Sequence, residues 1–157
     1  MPNTPALIGR GMSGLFASAA VTGDERSLVE QLLAPTGELL WVEREELLDA
    51  VTALSGSGPA YVFYFVEAMM RAGAELGLAP EQARRLAVGT FAGAAALAAQ
   101  SPEPPAQLRA NVTSKGGTTA AAIGHLENAA LRTIFDEALH AAAARGRELG
   151  AALAKEN

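Results

Sequence analysis

Between Leu86 and Ala99 only Thr90 interrupts a run made otherwise of apolar residues, alanines and glycines. The run falls short of the roughly 20 residues that a membrane span requires. It reads instead as a helix that is apolar on every face and therefore needs cover all round. The preceding helix, from Pro59, is nearly as demanding: it carries Val62, Phe63, Phe65, Val66, Met69, Met70 and Leu76, and its charges Glu67, Arg71 and Glu75 recur at i, i+4 and i+8, leaving one narrow stripe for water. A chain of 157 residues holds one ordinary domain's worth of material, and two such helices strain it. A second copy of the chain is the expected cover, meeting the first through helices 59–77 and 80–100 as a homodimer. The alternative is a bundle in which the remaining helices do all the covering.

From Glu45 onward the pattern is helical nearly throughout, with helices expected near 45–54, 59–77, 80–100, 104–112, 118–128 and 131–150. Pro59 and Pro80 stand where a first helical residue belongs, because proline there wastes no backbone donor. Residues 1 to about 43 differ. Short β-type runs, Leu15-Phe16-Ala17-Ser18 through Val21 and Leu39-Leu40-Trp41-Val42, flank one helix. Thr22 and Glu25 have the capping-box spacing for that helix, Leu28, Val29, Leu32 and Leu33 share a face, and Pro35 and Gly37 end it. Two or three short strands and one helix cannot bury their faces alone, so residues 1–43 read as an incomplete α/β unit ahead of a helical domain over 44–157.

Several function classes drop out. Seventeen acidic residues against 12 basic ones give a net charge of -5, the opposite of a nucleic-acid footprint. Cysteine is absent, which removes disulfides, thiolate nucleophiles and cysteine metal sites and fits a reducing cytoplasm. The N-terminus has neither a basic stretch nor an apolar core, so no secretory signal is read there. His125 and His140 have no nearby set of acids, and no metal site is expected. Gly9-Arg10-Gly11-Met12-Ser13-Gly14 satisfies G-x-G-x-x-G, but that fingerprint needs a buried strand before it and a long helix after it. Only Ala6-Leu7-Ile8 precede it, so it reads as a glycine-rich connection between strands.

Two segments have the composition of an anion site at a helix start, where unpaired backbone N–H groups attract negative charge. Leu54-Ser55-Gly56-Ser57-Gly58-Pro59-Ala60-Tyr61 is the first, and taken alone it reads more economically as a turn capped by Ser57 or Gly58. Asn111-Val112-Thr113-Ser114-Lys115-Gly116-Gly117-Thr118-Thr119 is the second. Paired glycines let the backbone approach a ligand, and Ser114 and Thr118 add hydroxyl donors suited to a carboxylate. The plainer reading is a loop with a threonine cap and a solvated lysine. A run of seven small or polar residues, Thr113 to Thr119, inside an alanine-rich bundle favours a binding loop.

Taken together, Met1-Pro2-Asn3-Thr4-Pro5, then Asp49 to Tyr61, then Asn111 to Thr119 resemble the pyrroline-5-carboxylate reductase family in order and spacing over essentially the whole chain. The resemblance implies reduction of a cyclic imine, 1-pyrroline-5-carboxylate, to proline by NADPH or NADH. It also implies an N-terminal Rossmann domain followed by a helical dimerisation domain of the 6-phosphogluconate dehydrogenase C-terminal-like type. In that family the Met-Pro-Asn-Thr-Pro segment lies well inside the chain, so the nucleotide-binding half is expected to be missing here and no cofactor is expected to bind this chain alone. Carried over by resemblance, Ser114, Gly116, Gly117 and Thr118 hold the imine carboxylate, Thr119 donates to the ring nitrogen as the catalytic residue, and Asn3 and Thr4 lie near the nicotinamide. Lys115 stands where many relatives have proline, and Thr118 where alanine is commoner. Assembly beyond a dimer stays open, as does a purely structural dimerisation module with no ligand role.

Overall fold

The structure is a computed structural model that describes the backbone of residues 1–156. It is mainly helical after a short α/β segment. A 3-10 turn, Thr4–Ile8, leads to β1 (Gly11–Leu15), α1 (Gly23–Leu33), a second 3-10 turn and β2 (Gly37–Trp41). There follow α2 (Leu47–Val51), a π-helical turn (Thr52–Gly56), α3 (Gly58–Glu75), α4 (Pro80–Gln100), α5 (Pro105–Asn111), α6 (Thr118–Asn128) and α7 (Leu131–Glu156). By contacts the described chain falls into two compact units, residues 1–61 with 136–156, and residues 62–135.

In the first unit β1, α1 and β2 form a parallel β-α-β unit in which Gly11 pairs with Gly37 and Leu15 with Trp41. Helix α1 begins as its residues dictate: the Thr22 hydroxyl accepts from the Glu25 N–H at 3.3 Å, and the Glu25 carboxylate accepts from the Thr22 N–H at 2.8 Å. Those bonds, the backbone one foremost, hold the Glu25 carboxyl below its ordinary pKa. Trp41 ties β2 back to α1, its indole N–H donating to Glu30 at 2.6 Å while the Arg26 guanidinium lies 5.1 Å from its ring centroid.

The first strand lies earlier than its β-type residues suggest. It spans Gly11–Leu15, whereas residues 16–21 lie outside any strand. Strand propensity largely measures packing against neighbours, and here packing selects glycine. A Cβ on Gly11 would press on Ala6 and the Thr36 carbonyl, and one on Gly14 would meet Val51 at 2.5 Å. The G-x-G-x-x-G run is accordingly not a connection between strands: Ala6, Leu7 and Ile8 belong to the 3-10 turn, Gly9 is its left-handed cap (φ 68°), and Gly11 and Gly14 sit inside β1. No long helix leaves these glycines, so the run lacks the dinucleotide geometry.

Helical expectations hold closely, with α4 starting at Pro80 and α6 spanning Thr118–Asn128. Helix α3 starts one residue before Pro59, and α7 runs six residues beyond 150. The break expected between residues 54 and 59 is different in kind. Helix continues from α2 through the π turn, leaving only Ser57 between it and α3.

In the second unit α3 and α4 approach closely where a Cβ on Gly73 would lie 3.1 Å from that of Ala83. Phe65 lies 6.4 Å from Phe91 and 6.1 Å from Phe135, ring centroid to centroid. Across the described residues the buried apolar core is only Ala53, Ala83 and Ala87, and no large side chain is fully buried. Phe63 is 60% exposed, Tyr64 74%, Leu86 58% and Leu97 57%. Covering such side chains is worth about 1.5 to 3 kcal/mol each, so half-covering these with Val62, Met69 and Val88 approaches the whole net stability of a domain.

Gly37 has φ 132°, and a Cβ there would fall on the backbone of Gly11. Gly37→Ala is expected to destabilise the α/β segment by about 3 kcal/mol or more, read as a lowered midpoint in urea unfolding followed by Trp41 fluorescence.

Candidate functional site

The loop from α5 to α6 is built by backbone. Helix α5 closes with the Thr113 hydroxyl donating to the Arg109 carbonyl at 2.6 Å. The chain then turns through Ser114-Lys115-Gly116-Gly117, the Gly117 N–H donating to the Ser114 carbonyl at 3.0 Å. Gly116, at φ 75°, fills the third position of this turn, where a type II turn needs a positive φ that few residues besides glycine accept. Lys115 and Ser114 are exposed.

Gly117 is extended (φ −80°, ψ 173°) and is the N-cap of α6, but no side chain caps that helix and its first turn holds no acid. The Ala121 N–H makes the first return bond, to the Gly117 carbonyl at 3.1 Å, so the N–H groups of Thr118, Thr119 and Ala120 open the helix without intrahelical partners. Ser114 stands at this opening. A Cβ on Gly117 would lie 2.5 Å from Ser114 Oγ, so glycine is what allows the hydroxyl to sit beside the helix start. Thr118 is exposed and Thr119 half-buried. The structure thus gathers Ser114, Gly116, Gly117, Thr118 and Thr119 around one bare helix end, an arrangement fit to hold a small anion.

Asn3 and Thr4 lie in the other unit. They border a cleft of about 360 Å³ whose lining also includes Pro2, Ala6, Leu7 and Gly56. Thr4 is exposed. The Asn3 carboxamide is engaged internally, its nitrogen 3.2 Å from both the carbonyl and the hydroxyl oxygen of Ser55, and its oxygen accepting from the Met12 N–H at 2.9 Å. Ser55 as the partner of Asn3 has no signal in the sequence, since the two are 52 positions apart and no spacing rule joins them. The first glycine/serine segment is drawn into the π turn, with the Ser57 N–H bonded to the Thr52 carbonyl at 2.8 Å.

A larger hollow, about 450 Å³ at the start of α4, is lined by Leu78, Glu81, Gln82, Arg85 and Leu86 and holds none of the expected site residues. Beside it the Arg84 guanidinium, hydrogen-bonded to Glu81, keeps that carboxyl below its ordinary pKa. No group of three or more His, Cys, Asp or Glu among the described residues converges as a metal site. No helix among them is long and apolar enough to cross a membrane.

A parallel β-α-β unit thus leads into helices that leave large apolar residues exposed, with a glycine loop at one bare helix start. Comparison with known proteins gives the family. A family model described as pyrroline-5-carboxylate reductase dimerisation matches residues 45–149. The pyrroline-5-carboxylate reductase of Pseudomonas aeruginosa is 48% identical over 149 residues, covering 95% of this chain and 55% of that protein. The solved pyrroline-5-carboxylate reductase from Coxiella burnetii superposes with a TM-score of 0.91 at 44% identity, covering 95% of this chain and 55% of that one. Plasmodium falciparum pyrroline carboxylate reductase, solved with NADP bound, gives 0.89 at 32% identity, covering 96% of this chain and 61% of that one. The chain belongs to the pyrroline-5-carboxylate reductase family, and it spans about half the length of the curated relatives it matches, 55% of the Pseudomonas protein.

Ser114→Ala removes the hydroxyl against which a Cβ at position 117 would collide. Gly117→Ala should therefore cost less stability in a Ser114→Ala background than alone, with a coupling of about 1 kcal/mol in a double-mutant cycle of chemical unfolding.

Proposed function

We propose that this chain supplies the dimer interface and the substrate-carboxylate loop of an NAD(P)H-dependent pyrroline-5-carboxylate reductase, which reduces 1-pyrroline-5-carboxylate to L-proline. The observation that carries this reading is the bare start of α6 with the exposed Ser114 hydroxyl beside Gly117 at its mouth. A carboxylate there accepts from the N–H groups of Thr118 and Thr119 and from the Ser114 hydroxyl, in the field of the helix dipole. Gly116 and Gly117 let the backbone come that close.

NAD(P)H, when bound, supplies hydride to the imine carbon. The chain's own residues bind and orient. The loop fixes the carboxylate and with it the ring, and holding a reactant in a productive pose is a large part of such catalysis. The Thr119 hydroxyl donates to the ring nitrogen. An aliphatic hydroxyl is a poor acid, so Thr119 orients and water supplies the proton the nitrogen finally keeps. The open hollow beside Asn3 and Thr4, lined mostly by apolar residues, is where the family resemblance puts the nicotinamide end of a dinucleotide. A homodimer through α3 and α4 follows from their exposed apolar residues, which include Phe63, Tyr64, Leu86 and Leu97.

Two measurements test this. Light scattering should give twice the 16.1 kDa chain mass at micromolar concentration. Titration of the ¹⁵N-labelled chain with L-proline should shift the amides of Ser114 to Thr119, with Ser114→Ala weakening the response about tenfold. A dimer with no shifts in the loop would instead identify a dimerisation module without a ligand role.

A further inference from the structure

Family resemblance sets Asn3 beside a cofactor, yet both ends of its carboxamide already have partners inside the protein: Ser55 for the nitrogen and the Met12 N–H for the oxygen. Ser55 belongs to the π-helical turn Thr52–Gly56. Such turns are rare, because a bond spanning five residues replaces the ordinary four-residue one and the backbone is forced outward. Here that bond joins the Ser57 N–H to the Thr52 carbonyl at 2.8 Å.

Two carbonyls of the turn are met by side chains. The Tyr61 hydroxyl donates to the Ala53 carbonyl at 3.1 Å, and the Asn3 nitrogen reaches the Ser55 carbonyl at 3.2 Å. Ala53 is only 4% exposed, so its carbonyl has little access to water in place of Tyr61. The turn ends at Gly56, where a Cβ would lie 3.4 Å from Met1 Sδ, and Gly56 lines the same cleft as Asn3 and Thr4.

We propose that Asn3 is a positioning residue: its carboxamide, with the Tyr61 hydroxyl, holds Thr52–Gly56 in the π register and so keeps Gly56 in the wall of the cleft. Thr4 is then the residue of the pair open to an occupant. That last step rests on the reading of the cleft as a dinucleotide subsite, whereas the control of register stands without it.

The test uses the isolated chain and no ligand, so its failure is separable from failure of the dinucleotide reading. Asn3→Asp keeps an acceptor for Met12 but offers Ser55 no donor, and Tyr61→Phe removes the other support. In the wild type the scalar coupling across the hydrogen bond should connect the Ser57 nitrogen with the Thr52 carbonyl carbon. In each variant that coupling should fade in favour of Ala53, the ordinary helical partner, and the Ser57 amide should exchange about tenfold faster. The amides of α1 should be unchanged, which separates a change of register from general loosening. A folded Asn3→Asp chain that keeps the Thr52–Ser57 coupling overturns the proposal. Should that variant fail to fold, the same signal in Tyr61→Phe decides.

Discussion

Two consecutive helices, α3 and α4, carry more apolar surface than one chain of this length can hide, and most other features make sense as responses to that. Their mutual contact is made by the smallest residues available, Gly73 against Ala83, which brings the backbones together and leaves the larger side chains pointing elsewhere. Those side chains, Phe63, Tyr64, Leu86 and Leu97 among them, stay half or more exposed. Among the described residues the buried apolar core is three alanines, a poor source of hydrophobic stability, so the fold and its association are two aspects of one energetic requirement.

Much of this was legible in the residues because it is written at short range. Pro80 and the Thr22/Glu25 pair mark helix starts with chemistry that acts within one turn, and the Gly116-Gly117 pair marks a turn and a bare N-terminus within four residues. The remainder depended on contacts far apart in the chain. Strand β1 contains two glycines that propensity disfavours, and only the proximity of Ala6, Thr36 and Val51 explains why they are there. Likewise the stretch from Ser55 to Gly58 looks like a loop until the supports at Asn3 and Tyr61 are known, since these contacts to the π turn come from outside it.

The candidate site follows a single economy. Almost nothing in the α5–α6 loop depends on an ionised or strongly nucleophilic side chain. In the proposed function its recognition elements are amide N–H groups oriented by a helix and one hydroxyl set beside a glycine. Groups fixed by backbone cost little reorganisation when a charge arrives. That suits the proposed reaction, in which the nucleophile is a hydride and the loop has only to bind and orient.

Trp41 is the sole tryptophan of the chain, and it sits between Arg26 and Glu30 in the α/β segment. The optical probes of this molecule are therefore divided by region. Indole emission, sensitive to the stacked guanidinium and the bonded carboxylate, reports on the β-α-β unit, while far-ultraviolet dichroism is dominated by the helices after it. Coincidence of the two signals on unfolding measures how strongly the small parallel sheet and the helical region share one cooperative transition.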